Sequence, residues 1–291
     1  MPLCKRAQSR SVDAQRIPVV SIGSHASVGG CTNFVLVRRR FDSLVEFSRF
    51  ATGLLERFDA GEPHHFDFAE HPFPKNFFAG RSDVKRELHA ISTALALRHP
   101  HSIVSFSVFE RARGYRRSGG KVEREPAFSN TGYVITSEGW KAFSKVRCAK
   151  GDARVLKRES RSPAERRLLD RTWAKRGGYF EALKPPVVEL GGRKVEHRVC
   201  RDAKLSPGSE ESLITVVSAN ELPRADYRPL PRARKLVLVN DLCPDLGYGR
   251  RAAAVGFSYN LDNYCEWDNS RRFKLLKNLL ARERVRIHLV G

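Results

Sequence analysis

The stretch 32–97 constrains the fold of this chain more than any other part of its sequence. A β-compatible segment, Thr32–Val37, is joined through three consecutive arginines to two segments with apolar residues at helical spacing, 43–58 and 82–97. Each helix would carry one apolar stripe, and the two stripes need a common surface to cover them. We therefore predict two helices packed against a small antiparallel sheet that includes Thr32–Val37.

Polar residues mark the points where both helices are expected to begin. Ser43 and Glu46 match a capping box, in which the serine oxygen accepts from a backbone N–H and the glutamate accepts from the serine's own N–H. Ser82 is the expected cap of the second helix. The two stripes are expected to meet in one core that contains Phe47, Leu54, Leu88 and Leu95.

Two short motifs flank the first helix. One is the arginine run with the phenylalanine that follows it, 38–41, and the other is a proline-rich loop, 71–78, that presents a lysine between aromatic residues. The order of these elements resembles that of the phox-homology (PX) domain. It runs from a strand to the arginine motif, a helix, the proline loop and a second helix. The resemblance implies that Arg40 binds the 3-phosphate of a phosphoinositide, that Phe41 supports the inositol ring and that Lys75 contacts another phosphate.

The resemblance departs from the family at one basic position. PX domains carry a further arginine near the start of the helix after the proline loop, and the matching residue here is Val84. Arg81, Lys85 and Arg86 are the nearby cations that could substitute, and we assign Arg86 to this role. The predicted phosphoinositide site therefore consists of Arg40, Phe41, Lys75 and Arg86.

Length and composition indicate about two domains. The 291 residues, of which 41% are hydrophobic, can supply real cores. A segment rich in Gly, Ser and Arg, 111–126, is the predicted linker. It separates a disordered basic start, 1–16, and a PX-like domain, 17–110, from a basic α+β domain of unknown type, 127–291.

The predicted fold class is α+β, with the small PX-like sheet and its helices followed by a second basic α+β region. Predicted strands beyond the linker are Val187–Leu190, 213–217, 235–239 and Val285–Val290. Predicted helices beyond the linker are 137–146, 162–176 and 271–284.

The net charge of +21 is concentrated in the middle of the chain, where residues 111–176 carry +12 of it. A basic surface attracts anionic lipid headgroups and nucleic acids alike. The leading hypothesis is a phosphoinositide-binding module that recruits a basic partner-binding domain to endosomal-type membranes from the cytoplasm. The alternative is a basic RNA- or DNA-binding protein in an organelle or the nucleus, with 111–176 as its anion site.

The segment 64–71 gathers three histidines, Asp67 and Glu70, but their spacing matches no metal-binding motif. We interpret it as a solvated loop with alternating aromatic residues. The six cysteines form no CxxC pair, which is typical of reduced thiols in an intracellular protein. No metal and no cofactor are therefore predicted.

No Ser/His/Asp, Cys/His or paired-carboxylate set can be assembled from the sequence with supporting motifs. His197 near Cys200, and Asp241 near Cys243, are interpreted as chance pairs with structural roles. The sequence also has no apolar run near the ~20 residues that span a bilayer. We predict a binding protein that contacts membranes peripherally and is not an enzyme.

Overall fold

The computed structural model describes residues 19–23, 31–74, 77–118, 121–144, 186–199, 214–219, 236–241, 253–258, 264–267, 280–281 and 284–290. Two named helices lie in these ranges, α1 (Leu44–Leu55) and α2 (Arg81–Arg98). Neither is long and apolar enough to cross a membrane.

Thirteen strands are named in the same ranges, and they form two sheets. The first sheet contains β1 (Val19–Gly23), β2 (Thr32–Val37), β3 (His64–Phe68), β4 (Ile103–Ser118), β5 (Lys121–Thr136), β6 (Gly139–Ser144) and β13 (Val285–Val290). The second contains β7 (Val187–Leu190), β8 (Arg193–Val199), β9 (Ile214–Ala219), β10 (Leu236–Asp241), β11 (Ala253–Ser258) and β12 (Tyr264–Trp267).

Both sheets are mixed and have a parallel centre. The order of the first sheet is β1-β13-β2-β3-β4-β5-β6, in which β13, β2, β3 and β4 run parallel and the outer pairs are antiparallel. The order of the second is β12-β11-β10-β9-β8-β7, with β8, β9 and β10 parallel. The strand β13 thus lies between β1 and β2, far from both in sequence.

The first sheet packs on both faces, and the side chains of β2 show how. Val35 and Val37 belong to the core that contains both helices, whereas Phe34 and Leu36 belong to the core shared with the second sheet. Alternate residues of a strand point to opposite faces, so an unbroken apolar run suits a strand buried on both sides. The described chain is therefore layered as helices, first sheet and second sheet.

The two helices predicted in 43–58 and 82–97 are confirmed as α1 and α2. Phe47, Leu54, Leu88 and Leu95 lie in one core. The backbone N–H of Glu46 donates to Ser43 Oγ at 3.1 Å, as a cap requires, but the Glu46 carboxylate accepts from the N–H of Asp42 at 2.7 Å and not from Ser43. The second cap was wrong, because α2 begins at Arg81 after Gly80, which places Ser82 inside the helix.

The predicted fold class is wrong. The structure has a seven-stranded mixed sheet in which both neighbours of β2 are parallel to it, in place of a small antiparallel PX sheet. A second sheet also covers the face that a two-layer PX fold would leave open. The assignment of 64–71 to a solvated loop is wrong as well, because β3 is a central strand and all five of its residues are buried.

The segment 137–146, predicted as a helix, contains β6 instead. Its aromatic residue Phe143 packs across the neighbouring strand over Gly132, where an added Cβ would lie 2.3 Å from Phe143 Cζ. Only glycine leaves room for this ring, so Gly132 and Phe143 act as a pair across β5 and β6. This pairing between strands cannot be read from the apolar spacing of 137–146 alone.

The strand predictions beyond the linker agree with the described residues. Strands β7 and β13 have the predicted bounds, and β9 and β10 overlap the segments predicted for them. The predicted linker, 111–126, lies in β4 and β5, which form one long hairpin. Where the chain divides into domains stays a prediction. The predicted helix 162–176, the basic start 1–16 and most of 271–284 lie outside the described residues.

Candidate active site

The carboxyl ends of parallel strands from both sheets meet at one edge of the molecule. Asn240, near the end of β10, donates from Nδ2 to the backbone oxygens of Val37 at 3.3 Å and Asp67 at 2.7 Å. The backbone N–H of Glu70, just after β3, donates to the oxygen of Ala219 at the end of β9, at 3.2 Å. Sheets with parallel strands commonly place their reactive residues at this edge.

Glu70 is the buried carboxylate at this edge. It is 3% exposed, and its Oε1 accepts from Asn130 Nδ2 at 2.8 Å. Asn130 lies on β5 and is fully buried. Because the Glu70 side chain contacts the first sheet and its backbone contacts the second, both the position and the orientation of the carboxylate are set by the packing of the two sheets.

The turn after Glu70 is held by His71. This residue has a φ of 46°, a left-handed conformation that costs energy in a residue other than glycine. Its backbone N–H donates to Ser107 Oγ at 3.1 Å, and its Nδ1 accepts from the N–H of Phe109 at 3.3 Å. With Nδ1 accepting, the ring proton is on Nε2, which donates to the oxygen of Pro74 at 3.1 Å. These three contacts offset the backbone strain and fix the chain direction beside Glu70.

A second buried carboxylate, Glu110, lies on β4. It is 8% exposed and accepts from the hydroxyl of Tyr133 at 2.6 Å. Burial and the charge of Glu110 together raise the pKa of Tyr133 far above its usual value, so the phenol stays a donor. Glu110 is therefore held by a neutral partner at neutral pH.

A third polar group lies between the sheets and comprises His65, Asp67, Ser105, His197 and Ser218. Asp67 Oδ1 accepts from Ser105 Oγ at 2.7 Å and from Ser218 Oγ at 2.8 Å. Ser105 Oγ is 2.7 Å from His65 Nε2, and Ser218 Oγ is 3.1 Å from His197 Nε2. All five side chains have a relative exposure of 0%.

Burial shifts the titration of this group strongly. Loss of solvation raises the pKa of Asp67 to about 7, while the hydrogen bonds from Ser105 and Ser218 act in the opposite direction. Loss of solvation lowers the pKa of His65 to about 3. It also lowers the pKa of His197 well below its ordinary value, with a contribution from His65. Both imidazoles are thus neutral at pH 7.

A cysteine and a lysine each follow the last residue of a described strand whose partner strand contacts Glu70. Cys200 is the next residue in the sequence after Val199, the last residue of β8, and Val199 pairs with Ser218 of β9. Lys145 follows Ser144, the last residue of β6, and Ser144 pairs with Thr131 of β5. Cys200 and Lys145 themselves lie outside the described residues.

The residues predicted to bind a phosphoinositide have other surroundings in this fold. Phe41 is fully buried against the rings of Phe47, Phe50 and Phe68, with centroid distances of 5.2 to 5.9 Å. It therefore forms part of the helix-side core. Arg40, the residue before Phe41, is exposed.

The remaining two lie further along the chain. Arg86 lies on α2 and forms ion pairs with Asp83 at 3.1 Å and Glu87 at 2.9 Å. Lys75 is outside the described residues. No observation tests the contact of these four residues with phosphate, which stays a prediction.

No protein-family model and no curated protein sequence matches this chain. A solved structure of similar outline is a cysteine-to-alanine mutant of an amidase from Nesterenkonia, 11% identical, with 87% of this chain and 98% of that chain covered and a TM-score of 0.46. A CN-hydrolase superfamily protein from Xanthomonas campestris is 15% identical, with 77% and 75% covered and a TM-score of 0.41. A carbon-nitrogen hydrolase from Helicobacter pylori G27 is 11% identical, with 71% of both chains covered and a TM-score of 0.41.

The two-sheet architecture contradicts the PX prediction. The predicted lipid-binding module is contradicted with it, and its nucleic-acid-binding alternative and the expectation that the chain is not an enzyme do not stand either. TM-scores below 0.5 describe only a general outline, so the activity of this chain has to be argued from its own residues. The predicted partners and location stay untested.

Sequence reasoning missed Glu70 as a functional residue because it placed 64–71 in a solvated loop. It also interpreted Cys200 as a structural residue beside His197. A signal was nevertheless present, since an acidic residue and a cysteine each follow directly on a β-compatible segment. Reactive residues are common where a strand ends, and this rule would have selected both.

Proposed function

We propose that this protein is a cysteine-dependent hydrolase that cleaves a carbon–nitrogen bond of the amide type. Cys200 is the nucleophile, Glu70 is the general base and acid, and Lys145 supplies a positive charge for the developing oxyanion. The bond type is the one named for the amidase and the carbon-nitrogen hydrolase of similar outline.

The observation that carries the proposal is the position of Glu70 between two strand pairs. Its carboxylate is held by Asn130, which precedes Thr131, and its N–H is held by Ala219, which follows Ser218. Ser144, the residue before Lys145 in the sequence, pairs with Thr131, the residue after Asn130. Val199, the residue before Cys200 in the sequence, pairs with Ser218, the residue before Ala219. Asn130 and Ala219 both contact Glu70.

These three residue types suffice for acyl transfer. A cysteine thiol reacts as the thiolate, and a carboxylate beside it takes the proton while a lysine favours the charged form. The sulfur attacks the amide carbon, and the C–N bond breaks as the carboxylic acid returns the proton to the leaving nitrogen. Glu70 then takes a proton from water, which attacks the thioester, and the sulfur leaves as the thiol. The sum is an amide and water going to a carboxylic acid and an amine.

Glu70 suits this role because it is rigid and shielded. A base that is already oriented loses little freedom when the substrate binds, and general base catalysis typically contributes roughly 100- to 10,000-fold. Asn130 donates to one oxygen of Glu70, which orients the carboxylate.

The test measures ammonia release from a panel of small primary amides, beginning with acrylamide and short aliphatic amides. The wild-type protein should release ammonia, and Cys200→Ala should lose at least about a thousandfold in kcat/KM because the nucleophile is gone. Cys265→Ala is the matched control, since Cys265 lies on β12 at the edge of the second sheet. It should retain wild-type activity.

A second measurement needs no substrate. Iodoacetamide labelling followed by peptide mass spectrometry should modify Cys200 faster than Cys265, and Glu70→Gln should slow the labelling of Cys200 while leaving Cys265 unchanged. Amide hydrolysis that survives in Cys200→Ala would refute the proposal. Equal labelling of both cysteines, together with no hydrolysis by the wild type, would refute it as well.

A further inference from the structure

The polar group between the two sheets, formed by His65, Asp67, Ser105, His197 and Ser218, takes no part in the proposed reaction. It lies in the interior of the sheet sandwich, with Phe34 and Phe143 packed against its imidazoles at centroid distances of 5.7 and 5.5 Å. Apolar side chains from both sheets pack in the same interface. Five polar side chains in such a place need a physical reason, because burying polar groups costs free energy.

Counting hydrogens shows that the group has more acceptors than donors. Each serine has one hydroxyl hydrogen, and both donate it to Asp67 Oδ1. The nearby Nε2 atoms of His65 and His197 must then carry the ring protons, which they donate to the serine oxygens. Asp67 Oδ2, His65 Nδ1 and His197 Nδ1 are left as acceptors without a hydrogen-bond partner among the described residues.

The ionised form of Asp67 would also be uncompensated. Within the described part of the chain, no arginine or lysine forms an ion pair with it. A buried polar atom without a hydrogen-bond partner costs free energy, and a charged one costs more. A bound cation would remove these costs together, since it accepts lone pairs from all three residues and neutralises the carboxylate.

We propose that His65, Asp67 and His197 bind a divalent transition-metal ion of the zinc type between the two sheets. Two imidazoles and a carboxylate are a ligand set for such ions. One ligand atom from each residue lies within 4.8 Å of the other two. Ligands at about 2.1 Å from a tetrahedral ion lie roughly 3.4 Å apart, so a separation of 4.8 Å would have to contract by about 1.4 Å for the three residues to bind one ion.

The serines then have a defined role around the metal. Ser105 and Ser218 hold the carboxylate and face the two imidazoles, as groups around a metal site do when they orient its ligands. Ser105 comes from β4 and Ser218 from β9, so ligands and supporting groups come from both sheets. A metal at this place would tie the two sheets together and would enter as they assemble, because none of its ligands is exposed.

The test refolds the full chain from denaturant with Co²⁺, with Zn²⁺ or without metal, followed by removal of loosely bound ions. Elemental analysis should find about one ion per wild-type chain, and the Co²⁺ form should show visible absorption of a nitrogen and oxygen ligand field. His197→Gln and Asp67→Asn should each lose this ion and this absorption. His99→Gln is the matched control, because His99 is also buried but lies on the helix side, near His64 and Phe66. It should bind as the wild type does.

Wild-type protein that refolds without retaining Co²⁺ or Zn²⁺ overturns the proposal, and so does equal metal retention in His197→Gln and Asp67→Asn. If neither variant folds, X-ray absorption at the metal edge of the wild type decides. Two imidazoles with light-atom ligands and no sulfur support the site. A sulfur ligand places the ion on a cysteine and refutes it.

Discussion

At the scale of single residues, the contact between Asn130 and Glu70 connects stability with the proposed activity. Asn130→Ala removes a donor from a buried carboxylate, and hydrogen bonds to charged groups are worth roughly 1.5–3 kcal/mol. We expect urea unfolding to show a loss of that size. Asn130→Asp should cost more, because it places a like charge beside Glu70. The control is Ser137→Ala, which removes an exposed hydrogen bond to Pro100 and should change the unfolding free energy by less than about 0.5 kcal/mol.

His288 on β13 should make stability depend on pH. Burial, with repulsion from His64 on β3 and from Arg286, lowers the pKa of His288 to about 4, against about 6.5 in an unfolded chain. Between these values the unfolded chain binds a proton that the folded chain does not. The contribution of His288 is therefore complete above pH 6.5 and is lost as the pH falls toward 4, by about 3 kcal/mol in total.

The pH prediction is checked by urea unfolding at several pH values between 4 and 8. His288→Gln should lose less stability than the wild type over the acidic part of this range. His89→Gln, at an exposed position of α2, should follow the wild-type curve. Parallel curves for His288→Gln and the wild type would show that His288 is not the group responsible.

At the scale of elements, Phe47 is a central contact between α1 and the first sheet. Phe47 is fully buried, and its ring centroid lies 4.4 Å from that of Phe106 and 4.8 Å from that of Phe68. Phe47→Ala should lower the unfolding free energy by about 3–5 kcal/mol, measured by urea denaturation. Val45→Ala on the same helix is the control, since Val45 is 38% exposed and should contribute little. Similar losses in both variants would mean that α1 is not held by this ring.

The elements also show which parts of the fold can be predicted from sequence. Strands β2, β7 and β13 have the predicted bounds, because apolar β-branched runs indicate a strand wherever it lies. Strand β3 was missed because His64, His65 and Asp67 look like solvated residues. They are buried because serines and rings from other strands surround them, and such partners are not local in sequence. The order of the strands in each sheet cannot be predicted from the sequence for the same reason.

The candidate active site was missed for a related reason. The position and orientation of Glu70 depend on Asn130, which is 60 residues away in sequence, and on the end of β9. No short motif encodes either contact. The strand ends themselves could have been found, since the acid and the cysteine each follow a β-compatible run directly.

At the scale of the whole molecule, β13 holds the first sheet together. It pairs with β1 on one side and with β2 on the other, and Val285, Ile287 and Val290 are buried. Removal of residues 285–291 should therefore abolish the cooperative thermal transition, because β1 would lose its sheet partner and β2 would become an edge. Circular dichroism during heating measures this. A chain lacking only Gly291 is the control and should melt as the full chain does.

The place of β13 also determines when this protein can fold during its synthesis. The residues that pair across β13 and β2 are about 250 positions apart in sequence, so the ribosome must release nearly the whole described chain before the centre of the first sheet can close. Until then β2 has an unpaired edge, and contacts of such long range form slowly. We therefore expect the yield of this protein in a cell to follow chaperone supply more closely than its final stability.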